Sequence, residues 1–238
     1  MPADILLTVL ATAVIQSVFG VGVLLFGTPL LLLLGYDFIN ALSVLLPISI
    51  AINCLQIIKH YQFIDRCFYK KVLIYSIPLV IGFLFFVSTA KVNIGLLVGG
   101  FLILVALKSF FPAIEQRMQE MVKFEKTYLA AMGIIHGLTN LGGSLLTAIV
   151  HAKGYDKNTT RVTVAICYAT FAVFQLITLI FIGSQFELSY SDNMGFLQLG
   201  VIVFLLTEEL LYSEIDNKKY TQLFAAFLLV SGILLIIK

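Results

Sequence analysis

Charge is what this chain has least of: only 12% of its 238 residues are Asp, Glu, Lys or Arg, and Trp is missing altogether. A soluble domain carries about a quarter charged residues to keep its surface wet, so an ordinary water-soluble fold is excluded. The net charge of +2 says little about partners, but a nucleic-acid partner does not survive so apolar a composition. Cysteine is scarce as well. Cys54, Cys67 and Cys167 form neither a CxxC pair nor a metal spacing, which removes a disulfide framework, a zinc site and any expected cofactor. No Lys or Arg precedes the first apolar run, which carries Asp4 instead, so a cleaved leader is not expected. What remains is apolar: 60% of residues are hydrophobic and the mean hydropathy is +1.03, the composition of an all-α polytopic membrane protein.

Apolar runs fall at about 5–34, 40–58, 72–89, 92–111, 127–151, 160–183, 194–211 and 220–237. Each is at least as long as the roughly 17 to 25 residues a spanning helix needs. Tyr36, Tyr61, Tyr69, Tyr128, Tyr155 and Tyr212 lie at the ends of these runs, where an amphipathic ring suits the membrane interface. Two runs carry central glycines: Gln16-Ser17-Val18-Phe19-Gly20-Val21-Gly22 and His136-Gly137-Leu138-Thr139-Asn140-Leu141-Gly142-Gly143. The second half of the chain repeats the first. Gly22 matches Gly142 at an offset of 120, while Gly35-Tyr36-Asp37 matches Gly154-Tyr155-Asp156, and Gln56 matches Gln175, at 119. Paired helix interruptions at corresponding positions of two halves point to a binding site, because unwound backbone at membrane depth is tolerated only where it is buried or lines a cavity. The expectation is a small secondary transporter or channel.

Loop charges discriminate two topologies. If all eight runs cross, Lys and Arg divide 9 to 6 between the faces. If runs one and five are re-entrant hairpins, every basic residue except Lys91 and Lys238 moves to one face, a 13 to 2 division that satisfies the positive-inside rule far better. Three crossings per half then give the halves opposite orientation, so the duplication becomes two inverted repeats with both termini outside. Residues 1–111 form the first repeat, 127–238 the second, and 112–126 a short cytoplasmic surface helix between them, with Ile114, Met118, Met121 and Val122 on its apolar face.

A hairpin arm from about 5 to 19 measures roughly 22 Å at 1.5 Å per residue, enough to carry its tip past the middle of a roughly 30 Å core. The two tips are therefore expected to face each other near the midplane, with Gly22 close to Asn140 or Gly142. After each tip a half-helix begins, at Val23 and at Ser144, whose unpaired N–H groups favour an anion. Gly20, Gly22, Gly142 and Gly143 let a ligand approach backbone, although close helix packing would require the same residues. No Lys or Arg lies near the centre of a run, so neutral groups are expected to hold an anion: Gln16, Ser17 and Thr28 in the first hairpin, and His136, Thr139, Asn140, Ser144 and Thr147 in the second. Asn53 and Tyr168, on the helices that follow, are expected to line the cavity, while Gln56 and Gln175 suit its two vestibules. His136 fits either a neutral, hydrogen-bonded imidazole or a proton-coupling group. Lys108, Glu208 and Glu209 read as anchors that reach the headgroups.

These residues resemble those of the TauE/SafE family of sulfite-exporter-like permeases, also called the toluene sulfonate uptake permease family. The likeness covers essentially the whole chain. It rests on Phe19-Gly20-Val21-Gly22 with Thr28-Pro29 and Leu34-Gly35-Tyr36, and on Gly137-Leu138-Thr139-Asn140-Leu141-Gly142-Gly143 opening the second half. Val23 stands where a further Gly is usual, and Ile149 where a Pro would match Pro29. The resemblance implies a bacterial inner-membrane protein that moves sulfite, sulfonates or related anions, with export linked to the proton gradient as the leading reading. An anion channel and a non-transporting assembly subunit are the alternatives. A membrane enzyme would need a nucleophile with a base, or a cluster of acidic and His ligands, and the sequence offers neither. Oligomeric state is open, a homodimer included.

Overall fold

The structure is a computed structural model that describes residues 1–90, 92–110, 120–184, 186–211 and 229–237, with the side chains of 108–110 and 209–211 outside the description. The described residues are helical throughout their ordered elements. In chain order these are α1 (Ala3–Phe19), α2 (Val23–Leu34), α3 (Phe38–His60), α4 (Arg66–Tyr75), α5 (Ile77–Thr89), α6 (Ile94–Phe110), α7 (Glu125–Thr139), α8 (Gly143–Ala152), α9 (Lys157–Ile182) and α10 (Tyr190–Leu211), followed by a helical stretch at 229–237. Among the described residues, three stretches are long and apolar enough to cross a membrane: Phe38–Phe63, Arg66–Thr89 and Lys157–Ile182.

The first long apolar run is two helices, because Gly20 takes a left-handed conformation (φ 74°) that ends α1, and its N–H donates to the Gln16 carbonyl. In the fifth run the residue that does this is Asn140 (φ 60°), whose N–H donates to the His136 carbonyl. Gly20 and Asn140 are 120 positions apart. Asp37 and Asp156, 119 apart, each cap the next long helix: Asp37 accepts from Asn40 N–H, Asp156 from those of Asn158 and Thr159. Such caps satisfy N–H groups that the first helical turn leaves orphaned. The expected helix 72–89 begins earlier. Asp65 caps α4 by accepting from the N–H groups of Cys67 and Phe68, and α4 and α5 form one apolar stretch interrupted at Ser76, just before Pro78. Of the expected linker helix, 112–119 lie outside the described residues, as do Lys91, Lys218, Lys219 and the first half of the last run, 220–228.

Packing is reciprocal between the halves. The central pair is α3 with α9; α1 packs on α10 and α7 on α5, while α10 also meets α3 and α5 meets α9. At one end of the bundle the Tyr36 hydroxyl donates to Asp4 at 2.9 Å, joining the start of α1 to the end of α2, and Glu187 N–H donates to the Asn40 side chain at 3.1 Å. At the other end Glu125 bridges Lys71 and Lys153, the latter at 2.7 Å, joining the start of α7 to the end of α8. Tyr155 donates to Asp65 beside it.

Candidate functional site

Each helix break is built against its own hairpin's first arm. A β-carbon on Gly22 would lie 2.6 Å from Gln16 N and 2.8 Å from the Thr12 carbonyl, and one on Gly142 would lie 2.8 Å from the Met132 carbonyl. These glycines are therefore backbone crossings, and their faces are not open to a ligand, contrary to the expectation for Gly22. Gly143 differs. A methyl group there would overlap the Tyr168 hydroxyl, so the end of a side chain from α9 occupies the space beside the second tip.

Around the first tip the Gln16 carboxamide works in both directions. Its Oε1 accepts from Val23 N–H at 2.9 Å, and its Nε2 donates to Asn53 Oδ1 at 3.3 Å. Asn53 in turn donates to the Ser49 carbonyl at 2.7 Å. The chain thus caps the half-helix at Val23 with its own amide. Around the second tip the buried His136 ring packs 4.6 Å from Phe171, centroid to centroid, and its Nε2 lies 3.2 Å from Gln175 Oε1. Thr139, Ser144 and Thr147 each donate their hydroxyl to a carbonyl of the preceding turn, at 2.7, 3.1 and 2.8 Å. Those three protons are spent, and the oxygens remain as acceptors.

One hydrogen bond joins the two hairpins. Asn140 Nδ2 donates to Thr28 Oγ1 at 2.9 Å; both residues are fully buried, and Asn140 Oδ1 has no partner among the described residues. The tips do not meet end to end as expected. The first lies beside Arg161, whose Cγ would be 3.2 Å from a β-carbon on Gly20, and the second beside Tyr168 and Gln175. Arg161, Tyr168 and Gln175 follow one another at intervals of seven along α9, so they share one face, and all three are buried. Arg161 and Tyr168 are about 10 Å apart along the axis, so the two tips meet α9 at different levels.

Arg161 was not foreseen as a site residue, and Glu208 was expected in the headgroups. Instead the pair is 6% and 7% exposed and makes an ion pair of 2.9 Å beside the first tip. Loop counting assigns Arg161 to the cytoplasmic charge, because it lies only one turn inside α9. Its spacing of seven from Tyr168, itself seven from Gln175, was the available signal. At the same end of the bundle, Asp65 is buried enough to raise its pKa, but the Tyr155 hydroxyl and the N–H groups of Phe68 and Cys67 outweigh this and hold the carboxyl below its ordinary value. Among the described residues no group of His, Cys, Asp and Glu could hold a metal ion.

The family described as "Sulfite exporter TauE/SafE" matches this chain over residues 5–235. Neither the curated proteins nor the solved structures give a match. The apolar helices, the glycine-broken pair of segments and a match over nearly the whole length agree: this chain belongs to the TauE/SafE family, a family of membrane transporters for sulfur anions.

Proposed function

We propose that this protein carries a small oxyanion or organosulfur anion, such as sulfite or a sulfonate, across the bacterial inner membrane by alternating access between two re-entrant hairpins of an inverted repeat. The observation that carries the reading is the buried polar stripe Arg161, Tyr168 and Gln175 on α9, which passes both broken tips, one from each half. The meeting of α1 and α2 at one end of the bundle through Asp4 and Tyr36, and of α7 and α8 at the other through Glu125 and Lys153, supports the re-entrant topology. Reciprocal packing, α1 on α10 and α7 on α5, supports the inversion. Both termini then face outward.

In this reading the anion sits where the hairpins touch. Asn140 and Thr28 supply polar contacts, and the start of α8 at Gly143 offers the positive end of a helix. Thr139, Thr147 and Asn53 shape the polar wall, Gly20 and Gly22 hold the first tip in place, and Tyr168 lies beside the second. His136, held by Gln175 and Phe171, serves as a positioning group and is our candidate for proton coupling during export. The buried Asn140–Thr28 contact favours a carrier over an open channel, since it must part for the anion to pass. The test is uptake by proteoliposomes of radiolabelled sulfite and of a small sulfonate, with an uncharged sugar as control. Saturable movement of the anions alone is expected; no movement of either would overturn the assignment.

A further inference from the structure

Three cationic or titratable side chains and one carboxylate converge on the first tip. Glu208 Oε1 lies 2.9 Å from Arg161 and its Oε2 lies 3.8 Å from Lys59, with His60 close enough to feel both charges. Arg161 also donates to the Ser17 carbonyl at 3.5 Å, and the hydroxyls of Thr207 and Ser17 are 2.8 Å apart. Helices α1, α3, α9 and α10 thus meet around one guanidinium, and with His60 neutral the cluster carries one excess positive charge.

A buried ion pair is a poor stabiliser, since desolvating both groups offsets most of their attraction; apolar residues of similar volume would hold the tip as well. What the pair provides that an apolar contact cannot is a guanidinium whose planar donor fork matches an oxyanion. We propose that Arg161 is an anion subsite on the transport path and that Glu208 is a tethered competitor, its carboxylate holding one arm of the guanidinium until an oxyanion displaces it. Displacement swings Glu208 toward Lys59, which keeps the carboxylate paired, and it loosens the α10 contact with Ser17. Anion arrival would thereby release the first tip. The inference rests on the transport reading and adds to it a binding residue and the ligand class, a small oxyanion with at least two oxygens exposed to the fork.

The test compares Glu208→Gln, Arg161→Lys, Arg161→Gln and the double variant Arg161→Gln/Glu208→Gln with the parent. Two readouts are taken: sulfite uptake in proteoliposomes, and the shift of the unfolding midpoint in detergent as sodium sulfite replaces sodium chloride. Removing the competitor should lower the KM of Glu208→Gln by about tenfold, the scale of one charge-assisted hydrogen bond, and enlarge its sulfite-induced midpoint shift. Arg161→Lys should bind more weakly than the parent, and both variants with Gln at 161 should lose the shift; the double variant has no unpaired charge and shows that this loss is not one of folding. Equal midpoint shifts and an unchanged KM in Glu208→Gln, with transport intact, would overturn the subsite and leave the transport reading standing. A parent that moves no sulfite but gains a midpoint shift that grows in Glu208→Gln would keep the subsite and remove the transport reading.

Discussion

Replacing Asn140 by Gly separates what the residue does for the backbone from what it does for a ligand. Asn140 is the one non-glycine residue with positive φ among those described, and its counterpart in the first hairpin, 120 positions earlier, is Gly20 in the same conformation. The substitution therefore copies a solution the chain already uses. Relief of left-handed strain, of the order of 1 kcal/mol, is offset by about 0.5 to 1 kcal/mol of extra unfolded-chain entropy. Loss of the 2.9 Å bond to Thr28 costs roughly 0.5 to 1.5 kcal/mol more. The net destabilisation is about 1 kcal/mol, a few degrees in the midpoint measured in detergent. Transport should suffer far more, because an amide that contacts an anion in a desolvated site contributes about 1 to 3 kcal/mol, or roughly 5- to 150-fold in kcat/KM. Thr28→Val provides the control: it breaks the same bond and leaves the Asn140 amide in place. If the bond itself is what matters, the two variants lose equally; if the amide binds the anion, Asn140→Gly loses more. An Asn140→Gly protein that folds and transports sulfite at the parent's kcat/KM would refute the role. Asn140→Leu is a poorer probe, since it adds strain to the loss of the donor.

Gly22→Ala and Gly142→Ala should each abolish recovery of folded protein, because a β-carbon at either position meets backbone atoms at 2.6 to 2.8 Å that cannot move aside; folded, active variants in size-exclusion chromatography would contradict this. Gly143→Ala meets only the Tyr168 side chain, so its destabilisation of about 1 to 3 kcal/mol should shrink in a Tyr168→Ala background, and additive losses in the double variant would show that the two do not touch. The Asp65 carboxyl is held below its ordinary value, so its stabilisation is complete above the unfolded pKa of about 3.9 and lost as pH falls through the folded value. Asp65→Asn should therefore lower stability at neutral pH and flatten the acid limb below about pH 4; an unaltered acid limb would show that the Tyr155 contact carries no linkage. Single cysteines at positions 123 and 157, in a background lacking Cys54, Cys67 and Cys167, should both react with an impermeant maleimide only in inside-out vesicles, and labelling from opposite sides would end the hairpin topology.

What was legible in the sequence was what local backbone chemistry demands. A glycine accepts the positive φ that ends a helix, so the two glycine clusters marked both breaks, although the left-handed residue of the second is Asn140, and the matched Asp37 and Asp156 fall at the starts of α3 and α9. What the sequence hid was direction and partnership. Spacing alone could not tell that Gly22 and Gly142 face their own first arms. The internal spending of the Thr139, Ser144 and Thr147 protons was readable in principle, because hydroxyls inside helices commonly donate to the carbonyl one turn back. The Arg161–Glu208 pair was not readable by charge counting, which sorts residues by loop and has no knowledge of which helix ends converge.

That failure is informative about the mechanism. A loop arginine in the positive-inside sense sits in headgroups and solvent, whereas Arg161 is 6% exposed with its stem against Gly20 and one guanidinium nitrogen 2.9 Å from a carboxylate oxygen. Its surroundings are set by the first tip, which lies against Arg161 about one turn inside the α9 N-terminus. Two tips meeting at the midplane would need only neutral donors there, as composition suggested. On the transport reading proposed above, tips that meet α9 about 10 Å apart along its axis would instead give the anion two stations on one face, a charged one at Arg161 and a neutral one near Tyr168 and Asn140. An anion bound at the charged station alone would be held too firmly to leave, and the neutral station alone would offer little to draw it from water. Placed in series, with Glu208 returning to the guanidinium as the anion moves on, the two can support both capture and release.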